Sequence, residues 1–200
     1  MNNFQKPGLS IEILPLEIAW RNAEGLLSES EQRLLRRLSD LRRKFWLAAR
    51  WAIKRLGTRR AFDVSPGEIE TVCNDTRPCC HMPDGNDFQV SASHDDRYVV
   101  AALTPKGTRV GVDVEPIDHR CLRVAARYAP TLPDRPETAT RFWSACEAVV
   151  KCSGRGLRSV LRNVRPRTTE WGMELGFENG SVFQVHQVMF DDRIFSIATL

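Results

Sequence analysis

Residues 88–116 read FQVSASHDDRYVVAALTPKGTRVGVDVEP, with short apolar blocks separated by His-Asp-Asp-Arg and by Pro-Lys-Gly. The spacing predicts three short strands, at 88–93, 97–104 and 108–115. In the third, Asp113 and Glu115 flank Val114. Side chains alternate along a strand, so both carboxylates share one face while Val112 and Val114 take the other. Two carboxylates on one face repel each other unless a cation lies between them, and a donor set made only of oxygens suits Mg²⁺ or Mn²⁺. The same alternation is also that of a half-buried strand with one wet face.

Beyond this stretch, helices are predicted at about 119–128 and 137–153, with Pro130, Pro133 and Pro136 between them and Gly154-Arg155-Gly156 after them. In the second helix Trp143, Glu147 and Lys151 are four apart and line one face. That face could offer a carboxylate to a metal and an ammonium to phosphate oxygens; it also fits an ordinary Glu–Lys surface pair beside a core-boundary Trp. The last 35 residues read as a meander turning at Asn179-Gly180 and Asp191-Asp192. Toward the N-terminus, 9–18 reads as a strand bent at Pro15. Ser28 to Glu31 has capping-box spacing. Leu34, Leu35, Leu38, Leu41, Phe45, Ala49, Ile53 and Leu56 then form a helical stripe ended by Gly57, with a corner offered by Ser39-Asp40. Residues 57–87 read as turn-rich. This order suggests two α+β lobes meeting near residue 108.

The 200-residue chain is 42% hydrophobic with a formal charge of +4, a globular composition that can bury its own core. No apolar run nears the roughly 20 residues of a membrane span, and no signal pattern opens the chain. A cytoplasmic protein with reduced thiols is expected. Six cysteines are too few for a disulfide scaffold, and Cys73, Cys79, Cys80 and His81 match no common zinc spacing. There is no nucleophile elbow, phosphate-binding Walker loop or dinucleotide fingerprint. Of the 29 basic residues only five are lysines, and 33–60 holds eleven basic residues against Asp40 alone. Such a surface attracts phosphates or an acidic partner protein, unless it is merely a solvated face. Arg36, Arg43 and Arg50 are seven apart and would share a helical face. The nearby aromatics Phe45, Trp46 and Trp51 have core spacing and do not suggest a base-stacking platform, so nucleic acid is not the expected partner.

Taken together, RPCC (77–80), FQVSASHDD (88–96), VGVDVE (110–115) and FWSACEAVVKCSGRGL (142–157) resemble the 4′-phosphopantetheinyl transferase superfamily. The likeness is to its larger, monomeric, two-lobed branch and runs from about residue 35 to 160. The upstream segment from Phe45 to Leu56 resembles the family's upstream helix, with Arg50 at the arginine. The resemblance implies two similar lobes of short antiparallel sheets packed with helices in a pseudo-twofold arrangement. Residues 1–107 would form the first lobe and 108–200 the second, with the metal ligands in the second and the active site at the lobe interface. It implies transfer of the 4′-phosphopantetheine arm of coenzyme A to a serine of a small, acidic apo-carrier protein (acyl, peptidyl or aryl), releasing 3′,5′-ADP. Asp113, Glu115 and Glu147 match the family's Mg²⁺ ligands. Glu147 would also accept the serine proton, and Lys151 would contact phosphate. His94, Arg50 and Arg77 match positions that hold the nucleotide end of coenzyme A.

This sequence departs from the family at Cys146, where a lysine precedes the catalytic glutamate, and at Thr76, where a glycine precedes Arg77-Pro78. The family lysine faces the substrate phosphates, so restoring Lys at 146 is expected to add a cation there, unless Arg141 or Arg155 already supplies it. Two alternatives stay open: a non-catalytic module of this fold that holds coenzyme A or a carrier protein, and an Arg-rich nucleic-acid binder.

Overall fold

A computed structural model describes residues 8–61, 64–74 and 77–200. The chain divides into two compact units. One holds the described residues up to Ala92 together with Asp96–Thr108; the other holds Ser93–Asp95 and Arg109–Leu200.

The first unit is built on strands β1 (Ser10–Pro15), β2 (Glu70–Asn74), β3 (Arg77–His81), β4 (Asp87–His94) and β5 (Tyr98–Pro105). They lie in the order β1-β5-β4-β3-β2, with β1–β5, β2–β3 and β3–β4 antiparallel. Helices α1 (Leu16–Arg21), α2 (Glu29–Leu35) and α3 (Asp40–Arg60) come between the first two strands. The capping box forms as expected: Ser28 Oγ accepts from the Glu31 amide and Glu31 Oε2 accepts from the Ser28 amide. The expected corner at Ser39-Asp40 separates α2 from α3.

Five expectations for this unit need correction. Residues 16–18 are helical, because Pro15 ends the strand and the Leu16 amide turns to the Arg97 carbonyl. Leu34 and Leu41 lie outside the buried stripe, at 47% and 70% exposure, because the corner resets the helical phase; Leu47, Ala48, Ala52, Ile53 and Leu56 form the core face. Arg36 lies past the end of α2, so it shares no helix with Arg43 and Arg50. Gly57 does not stop α3. A β-carbon there would come 2.7 Å from Ile69 Cδ1, so the glycine admits a close neighbour. The segment read as turn-rich also contains β2 and β3, whose short apolar pairs are masked by surrounding turn residues. Cys80 belongs to the apolar core, where burial pushes its thiol up to about 12.

The second unit repeats the strand order. Strands β6 (Val110–Pro116), β7 (Val164–Thr169), β8 (Gly172–Phe177), β9 (Val182–Phe190) and β10 (Arg193–Thr199) lie as β6-β10-β9-β8-β7, all pairs antiparallel. Helices α4 (Cys121–Tyr128), α5 (Pro136–Ser153) and α6 (Leu157–Asn163) again come between the first and second strands. The protein is therefore α+β, with two antiparallel five-stranded sheets and their helices. The expected turns are present: Asp191 and Asp192 take φ of 53° and 56°, as a two-residue hairpin turn requires, and Gly180 takes 80°. The seven-residue α6 is too short to leave a readable period. Among the described residues no helix is long and apolar enough to cross a membrane.

Helix α5 is specified at both ends. Pro136 occupies its first turn with Glu137, Lys151 its last, and Gly154 closes it in the left-handed conformation at φ 72°. Its inward face, including Phe142, Ala145, Cys146 and Val149, is buried in the core that also holds Leu175, Phe183 and Val185. Gly111 of β6 lets the helix come unusually close: a β-carbon there would lie 2.0 Å from the Ala148 carbonyl oxygen and 2.5 Å from the Cys152 amide. This contact fixes where the next residues of β6 meet α5.

Candidate active site

Beyond Gly111, the strand presents Asp113 and then Glu115 to the α5 face that carries Trp143, Glu147 and Lys151. Lys151 Nζ donates to Asp113 Oδ1 at 2.8 Å. Trp143 Nε1 donates to Glu115 Oε1 at 3.0 Å. Glu147 stands between these two contacts on the helix. A step of two along the strand is about 6.6 Å and a step of four along the helix about 6 Å, so the two spacings run nearly in phase.

Asp113 does not sit on a wet face: it is only 3% exposed. The sequence pattern misses this because the face opposite Val112 and Val114 is itself covered by α5. Ser93 Oγ donates to the same Asp113 oxygen at 2.9 Å and accepts from Lys151 Nζ at 2.8 Å, which closes a triangle of three side chains. Asp113 Oδ2 is buried with no hydrogen-bond partner.

The carboxylates disturb one another. Burial, then the charges of Asp113 and Glu147, push Glu115 up to about 7, with the Trp143 bond pulling the other way. Burial and Asp113 also raise Glu147, against Lys151. His94 sits beside this group. Burial, followed by the Lys151 ammonium, holds its imidazole below the usual range, against the pull of Asp95 and Asp113. The ring is therefore neutral at pH 7 and can hydrogen-bond but carries no charge.

The structure thus gathers Asp113, Glu115, Glu147, Lys151 and His94 in one unit. Among the described residues, no three His, Cys, Asp or Glu side chains are grouped so as to hold a metal ion as they stand. The chemistry of Asp113, Glu115 and Glu147 nevertheless suits a hard divalent cation: the side chains offer only oxygen, their charges repel, and Asp113 Oδ2 is buried without a hydrogen-bond partner. Arg50 belongs to the first unit, where Nε lies 3.4 Å from Glu31 Oε1 and the guanidinium stacks 4.6 Å over the Trp46 ring. Arg77 opens β3, and its side chain lies outside the described residues.

Cys146 does not face this site. It is fully buried in the core, with its thiol raised by burial, so a lysine there would enter the apolar interior. Neither arginine considered as its replacement is turned toward the carboxylates. Arg141 Nε donates to Glu137 Oε1 at 2.9 Å, and Arg155 stacks 4.9 Å over the Phe177 ring.

Two contributors escaped the sequence reading. Ser93 was visible only as the residue before His94. Arg193, 9% exposed and the one charged residue of its strand, pairs with Asp95 at 2.8 Å and ties the Ser93–Asp95 corner to β10. A lone arginine in RIFSIAT was the available signal.

No protein-family profile and no curated protein matches the chain. Among solved structures it is similar to a holo-(acyl-carrier-protein) synthase from Bacillus anthracis str. Ames in complex with CoA (3′,5′-ADP). That likeness has 22% identity over 49% of this chain and 94% of the other, at a TM-score of 0.44. It is also similar to the holo-[acyl-carrier-protein] synthase of Thermotoga maritima, with 25% identity over 52% of this chain and 67% of the other, at a TM-score of 0.40.

Proposed function

We propose that this chain is a Mg²⁺-dependent 4′-phosphopantetheinyl transferase that moves the phosphopantetheine arm of coenzyme A to a serine of an apo-carrier protein and releases 3′,5′-ADP. The observation that carries the reading is the meeting of Asp113 and Glu115 on β6 with the α5 face that bears Glu147 and Lys151, one cation among three carboxylates.

Asp113, Glu115 and Glu147 would hold a divalent cation, Mg²⁺ or Mn²⁺, which would supply positive charge to the pyrophosphate oxygens. Glu147, whose proton affinity is raised by burial and by Asp113, is suited to accept the serine proton. The attacking hydroxyl belongs to the carrier, which accounts for the missing nucleophile motif in this chain. Lys151 supplies the ammonium for a phosphate oxygen. His94, neutral at pH 7, would hold the nucleotide end by hydrogen bonding. Cys146 takes no part.

The test is incubation with coenzyme A, Mg²⁺ and a panel of apo-carrier proteins, read by intact mass. The expected result is one added phosphopantetheine per carrier, lost in excess chelator and in Asp113→Asn. Coenzyme A binding without any mass gain across the panel would favour the non-catalytic module.

A further inference from the structure

We infer that Lys151 and a divalent cation are alternative partners of Asp113, and that Ser93 is the positioning residue that keeps the lysine in place until the cation takes over. This rests on the proposed reading of Asp113 as a metal ligand.

The geometry is asymmetric. Asp113 Oδ1 accepts from both Lys151 Nζ and Ser93 Oγ, at 2.8 and 2.9 Å, while its other oxygen is buried and accepts nothing. Lys151 Nζ also donates to Ser93 Oγ at 2.8 Å. The ammonium is thus the resident countercharge of a carboxylate whose side chain is 4% exposed. A divalent cation on the same carboxylate would lie within a few ångströms of the ammonium, and two cations at that separation repel strongly where water is scarce. Only one of them can move. Asp113 is fixed by β6, whereas Lys151 stands near the end of α5 with 30% of its side chain exposed, on a flexible four-carbon stem. Ser93 can keep its bond to Asp113 after the lysine has left.

Metal binding would therefore release a lysine into the mouth of the site, where the phosphate oxygens of the substrate are expected. Cation and phosphate binding become linked by one side chain: a phosphate that takes up the freed ammonium favours the metal-bound form, and the metal favours phosphate. Without an anion to receive it, the lysine competes with the metal.

The test uses the full-length protein without coenzyme A. Mn²⁺ binding is titrated by the loss of the free-ion paramagnetic signal for the parent, Asp113→Asn and Lys151→Met. Amine labelling of Lys151 is followed by peptide mass spectrometry with and without saturating Mg²⁺, with Lys44 and Lys106 as internal references. Lys151→Met is expected to bind Mn²⁺ about tenfold more tightly than the parent. In the parent, saturating Mg²⁺ should raise Lys151 labelling severalfold. Ser93→Ala should raise it without any metal. If Mn²⁺ binds the parent, and Lys151→Met leaves that affinity unchanged or Mg²⁺ leaves the labelling unchanged, the exchange is refuted while the metal site stands. If Mn²⁺ binds neither the parent nor Lys151→Met, the metal reading falls and this inference falls with it.

Discussion

Cys146 lies fully buried among the apolar residues of α5, so the residue one step before Glu147 shapes the core and does not join the carboxylate cluster. Cys146→Lys should cost more than about 3 kcal/mol in urea unfolding, since overpacking alone costs roughly 1–3 and an unpaired buried ammonium adds to it. Cys146→Ala should lose only about 1 kcal/mol and retain transfer. Equal stability of Cys146→Lys and the parent would show that position 146 reaches solvent. Glu115 makes a separate prediction about pH. Its carboxyl titrates near 7 in the folded chain against an ordinary value of 4.5, so between these values the folded state holds a proton that the unfolded chain has lost. Stability is then present at acid pH and declines as pH rises through about 7. In chelator, the melting temperature of the parent should fall between about pH 5 and pH 8, and Glu115→Gln should flatten that fall. A parallel slope in the two proteins would remove Glu115 as its source.

At the scale of elements, the site depends on how closely β6 meets α5. A β-carbon at Gly111 meets backbone atoms of Ala148 and Cys152, which cannot move without displacing the helix. Gly111→Ala should therefore lose at least about 2 kcal/mol in urea unfolding and most of the transfer activity, although it touches no carboxylate. At Gly57 the nearest atom is the flexible end of Ile69, so Gly57→Ala should cost less. Similar losses in the two variants would contradict a special contact at Gly111. The strands β4 to β6 and helix α5 were legible because their periods run uninterrupted between clear turn residues. The pair β2 and β3 was not, because each offers only a few apolar residues between turns. Phase across the Ser39-Asp40 corner was illegible for a different reason: a helical period says nothing about the angle at which the next helix restarts, which is why Leu41 was assigned to the core.

Across the whole molecule, the Arg-rich segment divides into two kinds of residue. Arg55 and Arg59 both pair with the 7%-exposed Glu12 carboxylate, Lys44 pairs with Glu17, and the fully buried Lys54 joins Glu31 to the Pro66 and Ile69 carbonyls. These cations hold the first unit together. Arg36 instead lines a groove of about 310 Å³ with Leu27, Gln32, Leu35 and Arg43, the last also 3.8 Å from Asp40 Oδ1. A sequence shows the charge of eleven cations but not which already have partners, because Glu12 and Glu31 are far away along the chain. For an acidic carrier, Arg36→Ala should raise the carrier KM and lessen its salt dependence with stability unchanged, whereas Arg55→Ala should mainly lower stability. The reverse pattern would place the partner surface on the Arg55 side. That Asp113 and Glu115 share a strand face, and Glu147 and Lys151 a helix face, was legible from their spacing; the burial of Asp113 and its bond to Ser93 required the packing of α5.

The most direct test of the transferase reading counts both products at once: 3′,5′-ADP by chromatography and modified carrier by intact mass, with Mg²⁺, with chelator, and for Asp113→Asn. The account predicts equal amounts of the two products in the parent with Mg²⁺ and neither product in the other two conditions. Undiminished formation of both products in chelator, or in Asp113→Asn, would contradict it.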